Sequence, residues 1–126
     1  MNAQKVVVIG LDGASPDLLF GKYRNDLPNI KALMNEGFNS PLQSTIPPIT
    51  VPAWLSMFTG KDPGTLGIYS FHNRKYYDYG PLQQVSSLDV CGPTVWEQLS
   101  NIGKRSVVIG VPVTYPPKRL NPTFAL

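Results

Sequence analysis

Apolar residues fall along this chain in two patterns. Lys5-Val6-Val7-Val8-Ile9-Gly10-Leu11 and Ser106 to Val111 are nearly unbroken β-branched runs, the pattern of strands covered on both faces of a parallel sheet. The two are expected to be parallel strands of one sheet, joined through helices. Other stretches have helical spacing. Ile30, Leu33 and Met34 recur between Pro28 and Glu36, with Gly37 where a left-handed cap would stand. Ala53 to Thr59 is ended by Gly60, and its loop and helix meet at Thr50. Thr94 to Ile102 reads as a helix stopped by Gly103. Ser15-Pro16-Asp17 sets a capping residue, a first-turn proline and a first-turn acid before a short helix to about Tyr23.

Between these elements the signals are weaker. Phe38 to Leu42 fits a second, lesser strand, and Pro47, Pro48 and Pro52 forbid a regular interior element and imply a shaped loop into Thr50. Lys61 to Pro93 is rich in Gly, Pro, Tyr and Asn and predicts an irregular excursion whose aromatics, Tyr69, Phe71, Tyr76, Tyr77 and Tyr79, need something to cover. Val113 to Arg119 is loop-like, and no further element is predicted before Leu126, as though the chain were cut off there. Strand, helices and strand in this order predict an α/β fold with a mainly parallel central sheet flanked by helices, incomplete in this chain. No repeat or composition shift marks a boundary, so residues 1–126 are expected to be part of one domain.

Composition narrows the setting. A chain of 126 residues can bury roughly two-thirds of its unfolded surface, enough for a core. The net charge of +3 is small and scattered, so no nucleic-acid partner is expected. The run from Val6 to Leu11 ends at Asp12, too short for a signal sequence or a membrane span. A single cysteine, Cys91, excludes an internal disulfide and fits a reducing compartment. The expected location is the cytoplasm, with Cys91 as a small buried residue.

The candidate chemistry lies at two places. Asp12 follows the best predicted strand, and ligands in open α/β sheets gather outside the carboxyl ends of strands. Beside Gly13, which lets the backbone turn, its carboxylate suits a divalent cation, or it simply caps the turn and the next helix. Thr50 stands at a helix start, where backbone N–H groups and the dipole favour an anion. It is either an ordinary N-cap or a nucleophile, and as a nucleophile it needs a base or a metal to take its proton. His72, the only histidine, reads as a loop residue rather than a ligand. The clusters Phe71 to Tyr79 and Tyr115-Pro116-Pro117 either line a pocket or, as favoured here, pack over a sheet edge.

Three ordered segments, Val7 to Gly13, Leu27 to Gly37 and Pro47 to Tyr69, together resemble the opening of type I phosphodiesterases and nucleotide pyrophosphatases of the alkaline phosphatase superfamily. The resemblance runs from about Val6 to Pro117. It implies an alkaline-phosphatase-like catalytic domain, with Asp12 as a metal ligand and Thr50, before Val51-Pro52, as both ligand and nucleophile. It further implies two divalent ions, zinc or manganese, and a small-molecule phosphate ester as substrate. The family's other ligands, an Asp-x-x-x-His and an Asp-His pair, do not occur in this sequence. The chain is therefore expected to carry half of the active site and to be inactive alone; the alternative is a non-catalytic α/β fragment or binding module. Many nucleotide pyrophosphatases have Asn then His after the proline, where this chain has Ala53 and Trp54, so nucleotide specificity does not transfer. The Cys/Ser-x-Pro-x-Arg motif of the sulfatases is absent.

Overall fold

The computed structural model describes residues 5–74, 79–120 and 123–125. The chain forms two compact units, Met1–Gln43 and Ser44–Leu126.

In the first unit, Lys5 to Leu11 forms no strand. Val6, Val7, Val8 and Ile9 are each at least 65 % exposed. A parallel strand is held by neighbours along its edges, and among the described residues this run has no ladder partner. The expected central strand is thus corrected to an exposed apolar segment. It turns at Asp12-Gly13, where Ala14 N–H bonds the Leu11 carbonyl and Gly13 adopts φ +67°. The following helix, Asp17–Lys22, is a wide π-type turn, with Tyr23 N–H reaching back five residues to the Leu18 carbonyl. Pro16 rather than Ser15 holds its cap position, without a side-chain bond.

Helix α1, Pro28–Glu36, has the predicted bounds and its proline in the first turn. Gly37 is not left-handed as expected. Its φ of −128° is extended backbone, and a Cβ there would meet the Leu33 carbonyl at 3.1 Å, so close approach is the reason for glycine. Phe38 to Leu42 is no strand either; Phe38 and Leu42 are more than 90 % exposed.

The second unit is built on α2, Thr50–Thr59, which Gly60 ends at φ +69°. Val51 and Leu55, one turn apart, are buried with Leu66 and Ile68, and Val85, Val90 and Val113 pack against them. Each such side chain contributes about 1.5–3 kcal/mol by leaving water. The expected irregular excursion contains short elements. Helix α3, Pro63–Leu66, is capped by Asp62, whose carboxylate accepts from the Thr65 N–H and hydroxyl at 2.9 and 2.7 Å. Strands β1, His72–Asn73, and β2, Gln83–Gln84, pair antiparallel, His72 opposite Gln84. A 3₁₀ turn, Ser87–Asp89, carries a capping box between Ser86 and Asp89.

Helix α4, Val95–Asn101, begins at the Thr94 cap, and Gly103 follows at φ +70°. Strand β3 covers Ser106–Val108 and pairs in parallel with β4, Thr123–Ala125. The predicted partner of β3 was Lys5 to Leu11, and no element was predicted after Arg119; both are corrected. Val107 is 68 % exposed and Val108 6 %, so β3 is covered on one face, not two. The content is mixed helix and small sheets, compatible with an α/β fold.

Candidate active site

Thr50 is the first residue inside α2. Ile49, extended at φ −116° and ψ 147°, holds the cap position, so Thr50 is not the N-cap that its sequence position also allowed. The approach is fixed by Ile49 N–H and the Thr45 hydroxyl, both bonded to the Pro47 carbonyl at 3.0 Å. Pro52 has no N–H to give, and Ala53 N–H already bonds the Ile49 carbonyl at 3.1 Å. Thr50 and Val51 therefore carry the backbone amides of this first turn, where the helix dipole is positive. Thr50 is half-buried.

Asp12 is exposed in the turn Leu11 to Ala14 of the first unit. The cap position of the helix after it is held by Pro16, which has no side-chain cap bond. Without a strand ahead of it, the argument from a strand's carboxyl end does not apply; its fitness rests on carboxylate chemistry. His72 lies in β1 rather than in a loop, and is exposed. Among the described residues, no group of three His, Cys, Asp or Glu could hold a metal ion. As donors, Asp12 and Thr50 suit a hard divalent cation in kind, but they fall short of the three protein ligands of a catalytic zinc site.

Two further expectations change. Cys91 is exposed, not buried, and its carbonyl accepts from Lys61 Nζ at 3.0 Å. Tyr79 is 99 % exposed and Tyr115 81 %, so neither packs over a sheet edge; Tyr76 and Tyr77 lie outside the described residues. A feature not foreseen lies at α4. There Glu97 accepts from the Thr94 N–H and hydroxyl, each at 2.7 Å, and from Lys118 Nζ at 2.9 Å. Burial pushes the Glu97 carboxyl up, but the Thr94 and Lys118 hydrogen bonds and the Lys118 charge outweigh it, leaving the group below its ordinary value. The Thr-x-x-Glu spacing was the available signal for this cap.

A second feature not foreseen is a ladder of rings. Trp54 stacks on Phe58 with centroids 5.8 Å apart, and Phe58 meets Trp96 of α4 at 5.0 Å. The four-residue spacing of Trp54 and Phe58 was its sequence signal.

The model of the type I phosphodiesterase / nucleotide pyrophosphatase family matches residues 6–125, taking in both Asp12 and Thr50. The chain belongs to this family. No curated protein and no solved structure matches it. Membership of the type I phosphodiesterase / nucleotide pyrophosphatase family places the chain among hydrolases of phosphodiester and pyrophosphate bonds. Among the described residues, no helix is long and apolar enough to cross a membrane.

Proposed function

We propose that this chain is the N-terminal part of an alkaline-phosphatase-like catalytic domain that hydrolyses small-molecule phosphate diesters or nucleotide pyrophosphate bonds. Thr50 is the nucleophile, and Asp12 and Thr50 are the ligands this chain gives to a site for two divalent ions, zinc or manganese. The observation that supports it most is the place of Thr50, first residue of a ten-residue helix within the family match. A bound divalent cation supplies charge that lowers the pKa of a hydroxyl it contacts. The positive end of the α2 dipole favours phosphoryl oxygens beside Thr50. Thr50 Oγ attacks phosphorus in line, its proton passes to solvent, and the bond to the leaving oxygen breaks with its electron pair. Water then attacks the phosphothreonine, returning the hydroxyl and releasing a monoester.

Ligand count supports a half-site, since two donors are fewer than three. On this reading residues 1–126 alone bind metal weakly and turn over no diester. The test compares three preparations on bis(p-nitrophenyl) phosphate with Zn²⁺ or Mn²⁺: residues 1–126, the complete polypeptide that carries them, and that polypeptide with Thr50→Ala. Turnover is expected only from the second, with Thr50→Ala lowering it by orders of magnitude. An undiminished Thr50→Ala rate overturns the nucleophile, metal-dependent turnover by residues 1–126 overturns the half-site, and no turnover by the complete polypeptide leaves a binding module. A single cysteine supports a cytoplasmic location.

A further inference from the structure

We infer that a cavity beside the β1–β2 pair is a binding site for a small zwitterion, a free amino acid whose carboxylate meets Arg74 and whose ammonium meets Asp89. The cavity lies within the second unit and has a volume of about 160 Å³. Leu66 and Ile68, which line it, are also core residues, 6 % and 2 % exposed, so its base is part of the packed α2 core. Asn73 lines it as well and is already engaged: its Nδ2 donates to the Gly67 carbonyl and its Oδ1 accepts from the Tyr69 N–H at 3.4 Å. These bonds pin β1 to the exit of α3. Gln83, also in the lining, stands opposite Asn73 in the ladder, and opposite residues share a face of a strand pair.

Arg74 and Asp89 line this same cavity. They carry opposite charges in one small space, yet among the described residues the only ion pair is that of Lys118 with Glu97. Each is held by something else. The Arg74 guanidinium lies over the Tyr79 ring at 5.7 Å, a contact that supplies no oxygen acceptor for its N–H groups. Asp89 Oδ2 accepts from the Ser86 N–H and hydroxyl, both at 2.8 Å, which fixes the carboxylate and leaves Oδ1 to a ligand. Two charges that share a cavity without neutralising each other suit a molecule that carries both signs. The guanidinium fork takes a carboxylate, and the carboxylate oxygen takes an ammonium. The volume is below the roughly 300–1,000 Å³ of sites for drug-sized ligands, so the occupant is an amino acid rather than a peptide or a nucleotide. The Gln83 amide, both donor and acceptor, favours a short polar side chain such as that of serine.

The site does not depend on Thr50, so the test reads binding rather than turnover. The complete polypeptide is titrated calorimetrically with L-serine, acetate and ethanolamine, the last two carrying one each of serine's charges. L-serine is expected to bind with a Kd on the order of a millimolar, and acetate and ethanolamine at least roughly tenfold more weakly. Arg74→Gln and Asp89→Asn, the second of which keeps an acceptor for Ser86, should each weaken L-serine roughly tenfold. Arg74→Lys, which keeps the charge, should lose less than Arg74→Gln, and Thr50→Ala should bind like wild type. Acetate binding as tightly as L-serine overturns the inference by showing an anion site only. An L-serine affinity untouched by the Arg74 and Asp89 substitutions overturns it too, as does a wild-type protein that shows no saturation at concentrations roughly a hundredfold above the expected Kd.

Discussion

Removing the Glu97 carboxylate should loosen the second unit in a pH-dependent way. Glu97→Ala deletes three hydrogen bonds at once, two from Thr94 and one from Lys118. Loss of a helix cap costs about 1 kcal/mol. The Lys118 pair adds little, at most about 1 kcal/mol, because Lys118 is 38 % exposed. Together these come to roughly 1–2 kcal/mol. For a unit of this size that lowers Tm by roughly 5–15 °C. The Glu97 carboxyl sits below its ordinary value in the fold, so its contribution is complete above the unfolded pKa and disappears as pH falls through the lower, folded one. Thermal melts followed by circular dichroism at neutral pH and at about pH 3 should show a wide gap between wild type and Glu97→Ala at the first and a narrower one at the second. Lys118→Met, which keeps the cap, should lose no more than about 1 kcal/mol. Equal gaps at both pH values, or a Glu97→Ala protein as stable as wild type at neutral pH, would refute the reasoning.

Other substitutions probe the scaffold under Thr50. Leu55→Ala, at a position 4 % exposed, should cost about 2–5 kcal/mol in urea titrations, whereas Met57→Ala, on the same helix but 53 % exposed, should stay within about 0.5 kcal/mol. Similar losses at both would mean that α2 does not bury the Val51–Leu55 face. Gly60→Ala should cost about 1–2 kcal/mol, because a Cβ there meets nothing within 4 Å and only its φ of +69° is strained. Gly60→Asn should recover part of that, and an Ala variant of wild-type stability would show that the left-handed cap is not needed.

The helices were legible because their signals are local. Pro28 starts α1 and Gly60 ends α2 where the pattern puts them, and each needs only its own neighbours to act. The strands were not, since an apolar run shows that a segment can be covered but not by what. Val6 to Leu11 and Ser106 to Val108 carry the same signature, yet among the described residues only the second has a strand partner, and that partner, Thr123–Ala125, carries no strand signal of its own. Val113 shows the same limit: a β-branched residue at φ +62° is held by packing against the α2 core at about 1–3 kcal/mol of strain, which no local pattern reveals. For the site, motif order picked out Asp12 and Thr50. The Trp54–Phe58–Trp96 ladder, by contrast, joins two helices nearly forty residues apart in sequence.

The exposed segment from Val6 to Leu11 bears on handling as well as on fold. A short β-branched stretch with bare backbone groups is a template for strand exchange between molecules. Lys5 and Asp12 stand at its two ends, where charges act as gatekeepers against such stacking. An Asp12→Ala preparation lacks one of the two charges that bound this apolar segment, so its turbidity is to be compared with that of wild type at equal protein concentration. Its activity is then to be read on the soluble fraction alone.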